Sequence, residues 1–322
     1  MLIKPISLAA ASRDVLDHIN DPRPCYDWGV DALTNALTTG PGHLCVVGAK
    51  TGVGKSLFGM QIAVAMARSG LHTAYVSLEM SAESLAERYL AQTGTMAALR
   101  HRDPTTTQIT AMRAQISRDA KIPLDLIPAA GCTVLDIETY VRANPDVKVV
   151  VVDYLQLLGG SSSSRYEQTT NASIALATLA HSTGVCVIGL AQLAIKGEQA
   201  QGTPDLASVQ STSQYVQDAD AILLLWREDE KNAGSRRVLQ VAKNRHGPAG
   251  RKVYLDFDGN TMTLTPSADQ AAHKPAKKTY DFNSAQPSKS RGYDPTLDQR
   301  DNAEALREYE QRERAKQLSM KL

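Results

Sequence analysis

Over its 322 residues the chain has little cysteine, no long apolar run and almost no excess charge. The four cysteines, Cys25, Cys45, Cys132 and Cys186, fall at no metal-ligand spacing, and two of them lie in apolar, strand-like runs. This excludes a disulfide framework and a zinc-type cluster, and leaves free buried thiols in a reducing compartment. No apolar stretch approaches the roughly 18 residues of a membrane span, and the N-terminus has no signal-peptide core. A soluble, cytoplasmic protein is expected. A net charge of +1 gives no overall field for a polyanion, so a nucleic-acid site has to be a local patch. No internal repeat is visible.

What is present is a sizeable core, with 43% hydrophobic residues, and a composition that changes twice. Residues 1–22 form an arm with one helical stretch, about Leu8–Ile19. Residues 23–266 alternate strand-like and helix-like segments. Residues 267–322 lose the apolar rhythm and form a charged, flexible tail, with a helical charge pattern from Asp298 to Lys321. In the tail Lys274, Lys277, Lys278, Lys289 and Arg291 interleave with Tyr280, Phe282 and Tyr293, a pattern of either a solvated segment or a stacking surface for single strands.

The most informative segment is Ala49, Lys50, Thr51, Gly52, Val53, Gly54, Lys55 and Ser56, which follows the apolar run Leu44–Gly48 and precedes a helical pattern. Strand, glycine-rich turn, Lys-Ser and helix together read as a P-loop. Its backbone N–H groups and the helix N-terminus cradle phosphates. Lys55 reaches the β- and γ-phosphates, and the Ser56 hydroxyl ligates Mg²⁺. ATP and Mg²⁺ are the expected cofactors. An ordinary turn between a core strand and a core helix is the competing reading.

Strand-like runs at Leu44–Gly48, His72–Ser77, Lys148–Asp153, Val185–Leu190, Ala221–Trp226, Val238–Lys243 and Lys252–Asp256 are short and continuously apolar. Helical patterns at Lys55–Arg68, Ala82–Gln92, Val134–Ala143 and Gln168–Ser182 separate the first five. Such alternation predicts a mostly parallel, doubly wound α/β sheet, with antiparallel strands added at one edge by the closely spaced last runs. The ligand then belongs at the carboxyl ends of the strands, and all the motifs are expected there.

Asp153 ends the strand expected to lie beside the P-loop strand and is a candidate Mg²⁺-shell carboxylate; a helix N-cap is the alternative. Glu79 ends another strand, where a carboxylate serves either as the base that activates water or as a first-turn helix acid. Gln192 ends a third, as a γ-phosphate sensor or an exposed loop amide. Lys243 and Arg245 alternate on an extended segment, as a finger toward phosphate or as two surface charges.

Taken together, these residues resemble the C-terminal motor domain of the DnaB-type replicative helicases, a RecA-like P-loop NTPase fold. Ser77-Leu78-Glu79-Met80 is similar to the family's second motif and puts Glu79 at its catalytic-base position. Asp153-Tyr154-Leu155-Gln156-Leu157 resembles its Walker B segment. Leu190-Ala191-Gln192-Leu193 resembles its sensor strand, and Lys243-Asn244-Arg245-His246-Gly247-Pro248 its arginine-finger segment. Gln217-Asp218-Ala219-Asp220 precedes a strand as in the family, and Ala49 also agrees with it.

The resemblance covers about residues 26–265. It implies an ATP-driven hexameric ring on single-stranded DNA, with Lys243 and Arg245 acting on a neighbour's nucleotide, the arm helix docked on a neighbour or on its own core, and a primase or loader as a further partner. Departures from the pattern are Ala191 for a usual Ser, Ala194 and Ile195 before Lys196 where a basic residue is usual, and Ala207 for a usual Arg. The 22 residues before the motor are too few for the family's collar domain. Two other jobs remain open: a RecA- or KaiC-like ATPase that does not unwind, and a nucleotide-gated helicase accessory protein.

Overall fold

In the computed structural model the described residues are 5–17, 19–20, 26–160, 164–193, 204, 206 and 213–268. Lys196, Ala194, Ile195, Ala207 and the charged tail from residue 269 on lie outside them. Among the described residues no helix is long and apolar enough to cross a membrane.

The strands are β1 (Leu44–Ala49), β2 (His72–Ser77), β3 (Leu124–Pro128), β4 (Val147–Asp153), β5 (Cys186–Gln192), β6 (Ala221–Arg227), β7 (Arg237–Asn244), β8 (Lys252–Asp258) and β9 (Thr263–Pro266). They form one sheet in the order β3-β2-β4-β5-β1-β6-β7-β8-β9. From β3 to β6 all neighbours are parallel, and β7, β8 and β9 continue as an antiparallel meander. The anticipated antiparallel addition is therefore three strands at one edge.

The helices are α1 (Leu8–Asp17), α2 (Asp31–Thr34), α3 (Lys55–Arg68), α4 (Ala82–Leu90), α5 (Met96–His101), α6 (Thr106–Asp119), α7 (Val134–Ala143), α8 (Arg165–Thr183) and α9 (Ser213–Asp218). Two apolar clusters cover the two sheet faces. One joins Leu57, Phe58 and Ile62 of α3 to Val47, Val149, Ile188 and Leu223. The other joins Ile137 of α7 and Leu176 of α8 to Val46, Val150, Val187 and Ile222. The uninterrupted Val/Ile/Leu runs follow from this double cover: successive side chains point to opposite faces, and both faces are dry. By contrast α1 has no buried residue. Ile6, Leu8, Val15, Leu16 and Ile19 all stand exposed, so the arm helix is not folded onto the core of its own chain.

Two expectations about placement need correction. The Asp153 strand is not the neighbour of the P-loop strand: β5 lies between them, so Gln192 rather than Asp153 ends the adjacent strand. Nor do all the motifs sit at the carboxyl ends of the parallel strands. β7 runs antiparallel to β6, with Asn244 opposite Ala221 and Arg237 opposite Arg227. Lys243 and Arg245 therefore lie at the amino-terminal end of β6 and β1, beyond the far side of the sheet from the P-loop.

Candidate active site

The phosphate cradle starts where β1 stops. Ala49 is the last residue of that strand, wholly buried, in register with Gln192 and Leu225. Its carbonyl accepts from Leu193 N–H at 2.9 Å. A Cβ is accommodated there because Ala49 precedes the turn. The turn itself needs glycine, since Gly52 and Gly54 have φ of +73° and +116°, a region that L side chains avoid. The first helical hydrogen bond of α3 runs from Phe58 N–H to Gly54 C=O at 2.9 Å. The N–H groups that open α3 have no partner inside the helix, as at every helix start.

A cavity of about 400 Å³ opens above this turn. It is lined by Lys50 to Leu57, and Glu79 and Gln192 share it. Of the proposed phosphate residues Ala49 alone is outside the lining, for the reason just given.

Lys55 is the centre of the charge network. Its Nζ donates to Asp153 Oδ1 at 2.7 Å and sits 4.3 Å from the centroid of the Tyr154 ring. Burial pulls its pKa below the ordinary lysine value, while Asp153 and then Glu79 push back. Asp153 is almost completely buried, and its second oxygen accepts from Tyr75 Oη at 2.8 Å. Desolvation, and then the Asp153 charge, raises the tyrosine well above its usual range, so Tyr75 stays a neutral donor.

Glu79 is held at the tip of β2 by a local turn. Ser77 Oγ accepts from Met80 N–H at 3.0 Å, and Leu78 N–H donates to Asp153 C=O at 2.7 Å. The tips of β2 and β4 are thus joined, and the Glu79 carboxylate remains exposed to the cavity. Gln192 is clamped by the short 3-10 turn Leu155–Leu157 that follows β4: Gln156 Nε2 donates to Gln192 C=O at 2.8 Å, and Gln192 N–H donates to Gln156 Oε1 at 3.1 Å. Its own Nε2 donates to Thr51 Oγ1 at 2.7 Å. The amide therefore touches the P-loop directly.

Ser56 and Asp153 supply a hydroxyl and a carboxylate, hard oxygen donors of the kind Mg²⁺ takes together with phosphate oxygens and water. Among the described residues no group of three or more His, Cys, Asp or Glu side chains can hold a metal. A sparse protein donor set of this kind suits an ion that arrives with a nucleotide.

Five lining residues were not anticipated: Leu57, Arg88, Tyr154, Phe257 and Met262. Tyr154 had a signal, as the residue after Asp153. Arg88, on α4, and Phe257 and Met262, on the edge meander, reach the cavity only through tertiary packing.

At the other end of the sheet, Lys243 Nζ donates to the carbonyls of Val216 and Gln217 at 2.8 and 3.1 Å, at the end of α9. Arg245 Nη1 lies 3.1 Å from Oδ1 of the nearly buried Asp220. Asp220 Oδ2 accepts from Leu44 N–H at 3.0 Å, and the His246 ring stacks on His43 with centroids 4.6 Å apart. The six residues of β1 at about 3.3 Å each separate the two groups by roughly 20 Å. Neither cation reaches the P-loop of its own chain.

Strand, glycine turn, Lys-Ser helix and an acidic strand tip around one cavity define a P-loop nucleotide-binding domain of α/β type. The family model for the DnaB-like helicase C-terminal domain matches residues 29–265, more than half of the chain, and the chain belongs to that family. It is 34% identical over 247 residues to the replicative DNA helicase DnaB of Leifsonia xyli subsp. xyli, covering 71% of this chain and 52% of the relative. The solved ATPase domain of G40P superimposes with a TM-score of 0.74 at 25% identity, covering 82% of this chain and all of that one. A DnaB-like replicative helicase, solved in a study of its interactions with primase, gives 0.71 at 26% identity, covering 81% of this chain and 67% of that one. The chain spans about half the length of the relatives it matches.

Proposed function

We propose that the chain is an ATP-hydrolysing motor that works as a ring, hexameric as in its family, and moves on single-stranded DNA as a replicative helicase. The observation that carries this reading is the division of the site: the nucleotide cavity is at one end of the sheet and the Lys243/Arg245 pair at the other. A site completed by the next copy in a ring uses both ends.

Within one cavity Lys55 takes the β- and γ-phosphates and Glu79 orients and deprotonates water. Gln192, already bonded to Thr51, registers the γ-phosphate through the loop that follows β5. Ser56 and Asp153 hold Mg²⁺, which supplies charge neutralisation at the phosphates when bound. For that, Lys55 leaves Asp153 for the nucleotide. Arg245 of one copy stabilises the transferring phosphoryl group on its neighbour. The exposed apolar face of α1 docks on an adjacent copy, and primase or a loader is a further partner, by analogy with the primase-interacting relative. A reducing cytoplasm fits the unpaired Cys45, Cys132 and Cys186.

The test is ATPase activity against protein concentration, with and without single-stranded DNA. Activity per subunit should rise steeply with assembly and rise again with DNA. No DNA-stimulated turnover at any concentration refutes the reading. Strand displacement on a forked substrate then separates a helicase from a translocase that does not unwind.

A further inference from the structure

Arg237 is among the largest fully buried side chains, only 1% exposed, yet its guanidinium meets no carboxylate. Nε donates to Val53 C=O in the P-loop at 2.8 Å, Nη2 to Ala233 C=O at 2.8 Å, and Nη1 to Ser235 C=O. Its central carbon lies 4.2 Å from the ring centroid of Phe257, a wall of the nucleotide cavity. Directly opposite it in the sheet stands Arg227, whose Nη2 donates to Gly52 C=O at 2.7 Å and whose buried Nε has no hydrogen-bond partner. Among the described residues no ion pair includes either arginine. Of the hairpin carboxylates, Glu228 pairs with Arg236 and Glu230 with Lys50, and Asp229 accepts from Lys231 N–H at 2.9 Å.

Two like charges directly opposite across strands destabilise a sheet, and a buried cation without an anion costs still more. Burial, and then the Arg227 charge, brings the Arg237 pKa down to about 10, so it remains a cation at neutral pH. Such an arrangement is retained at a net cost unless an anion arrives. The Val53–Gly54 peptide points to where such an anion would sit. In a trans peptide the C=O and N–H point in opposite directions. With the Val53 carbonyl held by Arg237, the Gly54 N–H is directed away from the guanidinium.

We propose that Arg237 is a positioning residue of the phosphate site: a buried cation with no anion of its own, which orients the Val53–Gly54 peptide and takes the bound phosphates as its counter-ion. This rests on the nucleotide-binding reading above and adds a residue that touches no phosphate itself. It also makes the β6–β7 hairpin part of the nucleotide site, since three contacts, Lys50–Glu230, Gly52–Arg227 and Val53–Arg237, fasten it to the P-loop.

The test compares Arg237→Lys with Arg237→Gln. Both lose the three-carbonyl fork and keep a donor; only one keeps the charge. Binding of ADP and of inorganic pyrophosphate to the full chain is measured by calorimetry without Mg²⁺, after circular dichroism has established folding. Arg237→Gln should bind both ligands about tenfold more weakly than Arg237→Lys, the effect of one charge on the order of 10 Å from the phosphates at an effective dielectric constant of about 20. Equal affinities in the two variants overturn the proposal, and so does failure of both to fold, which would make Arg237 a brace of the fold alone. If the parent chain binds neither ADP nor ATP, the proposed function itself falls, which is a distinct result.

Discussion

Lys55 and Glu79 face the same cavity but should fail differently when altered. Lys55→Ala removes the cation that the phosphates meet and leaves Asp153, buried and bonded on one side to Tyr75, without its ion-pair partner. Nucleotide affinity and turnover should both collapse, by at least a hundredfold in titrations of ADP and in steady-state ATPase assays; an affinity matching the parent would remove the P-loop assignment. Glu79→Gln keeps size and hydrogen bonding but cannot accept a proton. Because Glu79 is exposed at the cavity wall, the change should leave folding and ATP binding intact and cut kcat on the order of 10²–10⁴-fold, the range of a lost general base. Near-parental kcat would move the base to another residue. The P-loop was legible in the sequence because glycine, lysine and serine at fixed spacing have a local cause: a positive-φ turn and a helix start. Arg237, Phe257 and Met262 were not, because nothing near them in the chain announces that the meander folds back over the phosphate turn.

At the scale of elements, the strands with apolar, continuous sequence emerged within one or two residues of their observed ends, and α3 and α7 matched at both. β3 was missed. Its Leu124-Asp125-Leu126-Ile127-Pro128 is only half-buried at the sheet edge, so it lacks the apolar run that marks an internal strand, and Asp125 is there to bond Tyr140 and His72. β9, four residues long, was too short to show a period. Strand order was beyond local reading as well: nothing in either sequence segment says that β5 inserts between β4 and β1. Packing between elements gives a stability prediction. Gly59 in α3 lies against β5, and a Cβ there would fall 2.4 Å from Leu190 Cδ1, in a wholly buried site. Helix propensity alone favours Gly59→Ala by about 1 kcal/mol, but overpacking costs about 1–3 kcal/mol. We expect a net loss of stability, read as a lower midpoint in denaturant with an unchanged slope; a raised midpoint would mean that α3 can lift off the sheet at no cost.

For the whole molecule, the decisive question is whether Arg245 serves the neighbouring copy. An arginine of this kind contributes on the order of 10³–10⁵ in kcat in other phosphoryl-transfer systems, so Arg245→Ala should be nearly inactive by itself. Mixed with Lys55→Ala subunits, equally inactive, it should regain hydrolysis wherever its intact P-loop meets a neighbour's Arg245. No recovery, with subunit exchange shown by an independent label, would rule out the shared site. The exposed apolar side chains of α1 bear on the same question. Deleting residues 1–20 should move the dependence of ATPase activity to higher protein concentration, as measured by dilution series and light scattering, while leaving ADP affinity per subunit unchanged.

The distance between the two ends of β6 has a consequence for coupling between sites. At its carboxyl end Arg227 holds the Gly52 carbonyl; one residue before its start, Asp220 holds Arg245 and the first N–H of β1. Strand β6, which shifts register against β7 between Ile222 and Leu223, thus joins the nucleotide cavity to the Arg245 anchor at the opposite end of the sheet. In the ring proposed above such strands would form a relay with one link per subunit. The state of one pocket would then be passed toward the next through the sheet itself. On the ring reading, a substitution that loosens β6 should uncouple neighbouring sites before it weakens nucleotide binding within one subunit.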